Sequence, residues 1–135
     1  MKREEWSIRT SGRGYTDLTA RASAFVRKSG VRDGMSNFFL VHTSASLILG
    51  ENADPSVRRD LEAFFRRLIP DGDPSYEHDA EGPDDMPSHI RTVLTQNSVA
   101  IPVVAGELAL GTWQALYLWE HRKIPHDRRV IASVW

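Results

Sequence analysis

Residues 98–120 read SVAIPVVAGELALGTWQALYLWE, and their apolar residues favour two strands, Ser98–Val104 and Leu108–Glu120. A glycine-containing turn at 106–107 is typical of the hairpin that would join them. A further strand is predicted at Arg129–Trp135. The C-terminal part of the chain is therefore expected to hold three strands in succession, with a break in the second of them at its internal glycine.

Earlier segments supply the remaining elements. Strands are predicted at 4–10, 35–42 and 45–50, and helices at 17–28, 54–69 and 88–96, the last of which follows an acidic loop at 76–87. Because the strands are grouped rather than alternating strictly with helices, the pattern favours an α+β fold. We expect a single domain over 1–135 with a mixed, largely antiparallel sheet and two to three helices packed on it.

The composition excludes several classes of site. The chain has 135 residues, no cysteine and a formal net charge of −1. Disulfides and thiolate metal sites are therefore excluded, and the bulk positive charge that drives nucleic-acid binding is missing. The N-terminal residues lack the apolar core of a secretory signal, and no apolar run has the length of a membrane span. We predict a cytoplasmic protein with no nucleic-acid or membrane partner.

Histidines give the most specific chemical prediction. His42 ends an apolar strand, while His78 and His89 flank the acidic loop. Neutral imidazole is a common ligand of zinc, and three histidines with an open fourth position form a known catalytic pattern. The alternative is that His42 is a hydrogen-bonded strand-end residue and the other two are surface residues. Carboxylates in the same loop can ligate a metal or orient an imidazole ring.

Other polar residues lie next to apolar runs. Glu120 ends a strand and can act as a general base, although an exposed strand terminus is an equal alternative. Trp113 can stack on a flat ligand and Gln114 can hydrogen-bond it, or the tryptophan can belong to the core. Asn52 can cap the second helix, and the free amides at that helix start can hold a phosphate group.

Four segments taken together resemble one protein family. They are HTSASLILGENADPSVRRDL (42–61), YEHDAEGPDDMPSHI (76–90), SVAIPVVAGELALGTWQALYLWEHR (98–122) and RRV (128–130). In this order they resemble the secondary thiamine-phosphate synthase family of YjbQ-like proteins. The resemblance implies small cytoplasmic α+β homotrimers whose histidines bind a metal near a subunit boundary. The chain departs from the family pattern at Gly50 and within the D-D-M-P-S-H part of the acidic loop.

The resemblance also implies an activity and a set of site residues. The expected reaction joins a pyrimidine-methyl diphosphate to a thiazole phosphate and releases diphosphate. The expected cofactor is a divalent metal, zinc first and manganese, iron or magnesium as alternatives. The expected partner is a small phosphorylated molecule. The expected site comprises metal ligands His42, His78 and His89, catalytic Glu120 and Gln114, and substrate-binding Trp113, Asn52, Glu51, Ser44 and Arg122.

Two other classes of function remain open at this stage. The protein can be a metal- or ligand-binding accessory protein without turnover, or a structural trimer with a vestigial site. An acid or base beside the metal distinguishes an enzyme from a binding protein, and Glu120 is the best candidate for that group. If Glu120 lies far from the histidines or is held in a salt bridge, the binding hypothesis is favoured.

Overall fold

Eight strands and three helices build the protein, and the computed structural model describes all residues 1–135. In chain order they are β1 (Lys2–Arg9), β2 (Gly14–Asp17), α1 (Thr19–Ser29), β3 (Gly34–Leu40), β4 (Ala45–Glu51), α2 (Pro55–Leu68), α3 (Asp85–Leu94), β5 (Ser98–Val104), β6 (Glu107–Leu108), β7 (Gln114–Glu120) and β8 (Asp127–Val134). The predicted single-domain α+β fold is confirmed.

The strands divide into two sheets, and every strand pair is antiparallel. The larger sheet has the order β1-β8-β3-β5-β6, and the smaller has the order β2-β7-β4. In β5, Val99, Ile101 and Val103 are buried, while the residues between them point outward, so one face of the larger sheet faces the core. These side chains join an 18-residue apolar core with Trp6 and Phe38.

The structure differs from the prediction in two local places, at the start of α1 and the start of α3, and confirms a predicted break between β6 and β7. The helix predicted over 17–28 begins only at Thr19, and residues 14–17 form β2 because they pair with β7. The break expected within 108–120 at its internal glycine is confirmed, because β6 ends at Leu108 and β7 begins only at Gln114. Helix α3 begins at Asp85 rather than at Pro87 or Ser88, which places an acidic residue of the predicted loop on the helix.

Helix α2 begins as the sequence predicts but packs loosely. The Asp54 side chain accepts a hydrogen bond from the Ser56 backbone N–H, and Pro55 occupies the first helical position. No residue of the helix is buried, and the apolar side chains of Phe64 and Leu68 are half exposed. None of the three helices combines the length and apolarity that crossing a membrane requires.

The turn between β1 and β2 depends on a glycine. Gly12 has φ of +95°, and a Cβ built on it would overlap the backbone carbonyl of Lys123. We expect Gly12→Ala to lower the free energy of unfolding by about 3 kcal/mol, since left-handed strain of about 1–2 kcal/mol adds to the displacement of packed backbone. Urea denaturation measures this loss.

Gly30→Ala is the matched control. Gly30 also has a positive φ, of +78°, but nothing lies within 4 Å of a Cβ built there. Its alanine variant should therefore lose only about 1–2 kcal/mol, the cost of backbone strain. Equal losses in the two variants would mean that the close approach to Lys123 contributes nothing.

Candidate metal centre

Two of the predicted ligands lie together with an aspartate. The ligand atoms of His78, Asp85 and His89 all lie within 4.8 Å of one another. His78 Nε2 is 3.1 Å from Asp85 Oδ2, and His89 Nε2 is 3.1 Å from Asp85 Oδ1. Asp85 and His89 are four residues apart on α3 and so share a helix face, while His78 comes from the acidic loop.

The hydrogen bonds of His89 determine which nitrogen is available. Its Nδ1 lies 2.9 Å from the backbone carbonyl oxygen of Thr43. A carbonyl only accepts, so Nδ1 carries a proton, and in a neutral ring Nε2 then presents a lone pair. That lone pair faces a carboxylate oxygen of Asp85. Two electron-rich atoms 3.1 Å apart require a cation between them, either a proton on His89 or a metal ion.

Asp85 contributes a second sign of a ligand site. The residue is 1% exposed, and its Oδ2 atom has no hydrogen-bond partner in the protein. Oδ2 lies close to His78 Nε2, but the two atoms do not form a hydrogen bond of good geometry. A buried carboxylate oxygen without a partner is costly, and coordination of a cation is one way to satisfy it.

Arg122 holds the acidic side of this group in place. Its Nε donates to Asp84 Oδ2 at 3.0 Å, and one terminal nitrogen donates to Asp85 Oδ1 at 3.3 Å. The other terminal nitrogen donates to the Glu81 backbone carbonyl at 2.8 Å. Arg122 is only 6% exposed, and its expected role in binding substrate stays a prediction. Its donors face the protein's own carboxylates.

Asp84 stays ionised beside this guanidinium. Burial raises its pKa, but the backbone N–H of Lys123 and the side chain of Arg122 donate hydrogen bonds to the carboxylate. Together with the charge of Arg122 they outweigh burial, and the pKa of Asp84 is lowered below its ordinary 3.8. The carboxylate therefore remains a permanent partner of Arg122 at neutral pH.

His42 lies outside the ligand group, contrary to the expected convergence of three histidines. Its Nε2 accepts a hydrogen bond from the Arg129 backbone N–H at 2.8 Å, so that lone pair is already used. Burial and then the charge of Arg128 lower the pKa of His42, which keeps the ring neutral. The alternative of a hydrogen-bonded strand-end histidine describes its position. The third member of the group is Asp85.

Glu120 is held in a buried ion pair rather than free as a base. It is 1% exposed and accepts hydrogen bonds from Thr10 Oγ at 2.7 Å and from Arg128 Nε at 2.8 Å, while a second Arg128 nitrogen contacts its other oxygen. Burial raises its pKa, but the hydrogen bonds and charge of Arg128 outweigh it and leave the pKa below 4.5. Ser44 accepts from the same arginine, so it too is structural.

The other expected binding residues form a separate group. Glu51 pairs with Gln114, and Ala45 pairs with Glu120 at the far end of the same two strands. Six residues of strand separate these ends, about 20 Å. Asn52 joins the distal group through a hydrogen bond from its side chain to the Thr112 carbonyl.

Most side chains of this distal group form hydrogen bonds with backbone groups close to them in the chain. Glu51 accepts from the N–H groups of Ala53 and Asp54, and Gln114 accepts from Gly111. Trp113 is the exception, because it is 62% exposed and therefore not a core residue. Within one chain, this group does not converge with the candidate metal ligands.

The two remaining histidines do not join the ligand group either. His121 is fully buried, its pKa is lowered well below the usual value by burial and then by the charge of Arg91, and its Nε2 contacts Ser46 Oγ at 2.7 Å. His126 Nδ1 lies 2.9 Å from the Ile124 carbonyl. Both residues stabilise structure around the end of β7.

The member of this group that the sequence did not predict is Asp85. A usable signal was present, since Asp85 and His89 have the spacing of one helical turn. It was not used because the helix was predicted to begin two or three residues later. A buried aspartate is not distinguishable by composition from its exposed acidic neighbours in the same segment.

Known proteins resemble the chain over almost its whole length. Residues 4–135 match the family model described as UPF0047 protein YjbQ-like. A UPF0047 protein of Synechocystis sp. is 50% identical over 127 residues, which cover 94% of this chain and 86% of the relative. The UPF0047 protein YjbQ of Escherichia coli O157:H7 is 50% identical over 104 residues, 77% of this chain and 75% of the relative.

Solved structures have the same fold. An uncharacterised YjbQ/UPF0047 family protein of Clostridium acetobutylicum superposes with a TM-score of 0.89 at 37% identity, covering 98% of this chain and 99% of that one. A hypothetical protein of Aeropyrum pernix superposes with a TM-score of 0.90 at 27% identity, covering 100% and 98%. These descriptions give no activity, so function has to be argued from the site.

Proposed function

The chain belongs to the YjbQ-like UPF0047 family, and from that premise we propose that it binds a divalent metal ion through His78, Asp85 and His89. One observation carries the proposal: the available Nε2 of His89 faces a buried carboxylate whose second oxygen has no partner. A second imidazole completes the group at 3.1 Å. A divalent cation held by these three residues would satisfy the lone pairs of both rings and the unpartnered carboxylate oxygen.

Zinc suits this ligand set best. Two imidazole nitrogens and one carboxylate oxygen, with a fourth position left for water or substrate, are a known arrangement of catalytic zinc. The same ligands accept iron or manganese, whereas magnesium prefers oxygen ligands. The Thr43 carbonyl supports His89 in the way that backbone carbonyls commonly orient metal-bound histidines.

The partner we propose is a small phosphorylated molecule. The His78 side chain is 60% exposed, so solvent reaches the group from the side of the acidic loop. A metal bound there would neutralise phosphate charge. The chain's own residues would fix the ion: α3 presents two ligands, the loop presents the third, and Arg122 holds the helix start against the end of β7.

Binding without turnover gains support from Glu120. The expected general base is buried and paired with Arg128, so it cannot activate a water for hydrolysis at the metal. The transfer reaction remains a second candidate because it needs no such base. The thiazole nitrogen attacks with its own lone pair, the bond from the methylene carbon to diphosphate breaks, and only the departing charge requires stabilisation. The open side at His78 favours this candidate.

Self-association into a homotrimer also stays a proposal. Apolar side chains remain exposed on α3 and elsewhere, including Val93, Leu94, Trp113 and Trp135. Two of them follow His89 on the same helix, so a neighbouring subunit covering them would lie beside the ligand group. That arrangement would place the site near a subunit boundary.

Zinc titration of metal-free protein tests the proposed ligands. We expect one zinc per chain in the wild type and at least about a 100-fold loss of affinity in His89→Ala, because removing a direct ligand costs no less than removing its supporting contacts. His42→Ala should stay within a few-fold of the wild type. Competition with a coloured chelator gives the affinities, and circular dichroism confirms folding. Loss of zinc in His42→Ala with retention in His89→Ala would contradict the assignment.

A further inference from the structure

The contacts of Arg122 point to a role in choosing the metal. Three acidic residues, Glu81, Asp84 and Asp85, lie on one side of the candidate centre, and Arg122 reaches all three. Two of them are buried, so their carboxylates have few alternative partners. The question is which of their oxygens remain available to a cation.

Arg122 occupies one oxygen of each buried carboxylate. Its Nε donates a hydrogen bond to Asp84 Oδ2 at 3.0 Å, and a terminal nitrogen donates one to Asp85 Oδ1 at 3.3 Å. The Lys123 backbone N–H lies 2.8 Å from the same Asp84 oxygen. Asp85 Oδ2 is the atom left without a partner. Asp85 Oδ1 is shared between Arg122 and the facing His89 Nε2, and Asp85 Oδ2, which faces His78, is the one buried carboxylate atom here without a hydrogen-bond partner.

We infer that Arg122 is a specificity-determining residue that limits the centre to two nitrogens and one oxygen, and so excludes cations that require several oxygen ligands. The inference rests on the proposed metal binding. Magnesium and calcium take six or more oxygen ligands, most often from clustered carboxylates. Zinc is satisfied by the smaller, nitrogen-containing set.

Position and charge both contribute to this selection. The planar guanidinium donates hydrogen bonds to two carboxylates at once. A lysine ammonium is a compact point charge and cannot reproduce that geometry. The backbone of Arg122 is also held in place, because its N–H donates a hydrogen bond to Glu120 Oε2 at 3.2 Å. The Glu120–Arg128 ion pair therefore fixes the strand end from which Arg122 reaches the acidic loop.

The charge of Arg122 also opposes an additional cation beside the two aspartates. A guanidinium stays protonated in proteins, so this positive charge is permanent. Without it, two neighbouring carboxylates would be uncompensated. Their mutual repulsion is relieved by a hard dication, which is how oxygen-rich calcium and magnesium sites form.

Arg122→Gln tests the inference through metal preference rather than activity. Zinc and magnesium affinities are measured by calorimetry on metal-free full-length protein. We expect the ratio of zinc to magnesium affinity to fall at least about tenfold, the lower end of effects seen when a ligand-supporting contact is removed. With cobalt(II) as a probe, the visible absorption should weaken as four-coordinate geometry gives way to six-coordinate geometry.

Two further variants separate the effect of the freed Asp84 carboxylate from the effects of the charge and the geometry of Arg122. Arg122→Gln combined with Asp84→Asn removes the newly freed carboxylate and should restore most of the zinc preference. Arg122→Lys keeps the charge without the fork, so its ratio should lie between the wild type and Arg122→Gln. Where Arg122→Gln does not fold, the lysine variant is compared directly with the wild type, and an unchanged ratio overturns the inference.

The outcomes distinguish this inference from the proposal beneath it. Zinc bound by the wild type, lost in His89→Ala and held with unchanged selectivity in Arg122→Gln would overturn the specificity role and leave the metal site standing. No zinc or magnesium bound by the wild type would overturn both. A fall in the ratio that Asp84→Asn reverses would support both.

Discussion

Zinc affinity is expected to fall at least about 100-fold when Asp85 is replaced by asparagine, an amide of nearly the same shape. Loss of outer-shell partners of a metal ligand costs about 10–100-fold, and here a direct ligand loses its charge. The amide also replaces one of the two carboxylate oxygens, which lie 3.1 Å from the His78 and His89 Nε2 atoms, with an NH2 group that cannot bind a metal. Zinc titration with elemental analysis measures the loss.

Asp79→Asn is the matched control for this substitution. Asp79 lies in the same acidic segment, one residue from His78, but it is exposed and outside the ligand group. Its variant should keep zinc affinity within about twofold of the wild type, as expected of an exposed charge that is screened by solvent. Equal losses of zinc affinity in both variants would mean that the negative charge of the loop, and not direct ligation by Asp85, causes the effect.

The same pair of variants bears on the transfer reaction. If the purified wild type joins the pyrimidine-methyl diphosphate to the thiazole phosphate, Asp85→Asn should abolish the metal-dependent rate and Asp79→Asn should preserve it. Equal rates in the two variants would show that the reaction does not depend on this centre. Metal binding without any product in the wild type would favour the accessory function.

Loss of stability is the expected result of replacing Arg128 by leucine. Glu120 would be left 1% exposed without its ionic partner, and breaking a buried pair from one side costs about 3–5 kcal/mol. In a chain of 135 residues this corresponds to a melting temperature lower by about 10 °C or more. Calorimetry at pH 7 measures the shift.

An exposed ion pair between β1 and β8, the strand that carries Arg128, provides the comparison. Arg9 and Asp127 pair at 3.2 Å with side chains 63% and 69% exposed, so Arg9→Leu should change stability by about 1 kcal/mol or less. Adding Glu120→Leu to the Arg128→Leu variant removes the unpaired charge and should recover part of the loss. Equal stability of the Arg128 variant and the wild type would show that Glu120 finds another partner.

The pH dependence follows from the direction of the pKa shift. The pKa of Glu120 is lowered from 4.5 in the folded protein, so its contribution to stability is fully present above that ordinary value. It is lost as the pH falls below 4.5 and through the lowered folded pKa. Asp84 behaves in the same way from its ordinary 3.8. We expect the free energy of unfolding of the wild type to fall on acidification in this range. In the Arg128→Leu variant, the share of this fall that comes from Glu120 should be absent.

The amino-acid sequence determined the elements whose signals are local. Alternating apolar residues predicted β5, and Asp54 followed by Pro55 predicted the start of α2. The order of grouped strands was sufficient for the α+β class. The absence of cysteine restricted any metal site to nitrogen and oxygen ligands. Each of these conclusions depends on neighbours in the chain or on composition, so no tertiary contact was needed.

Only the tertiary structure decided which polar residues meet. Asp85 becomes buried because α3 begins early and Arg122, 37 residues away, holds it against the end of β7. His42 is removed from the ligand group by a backbone N–H 87 residues away. Glu120 is paired with Arg128 across a turn whose path no local pattern predicts. Metal ligation and ion pairing are set by distances of about 3 Å between side chains far apart in sequence, and hydrophobic periodicity carries no information about those distances.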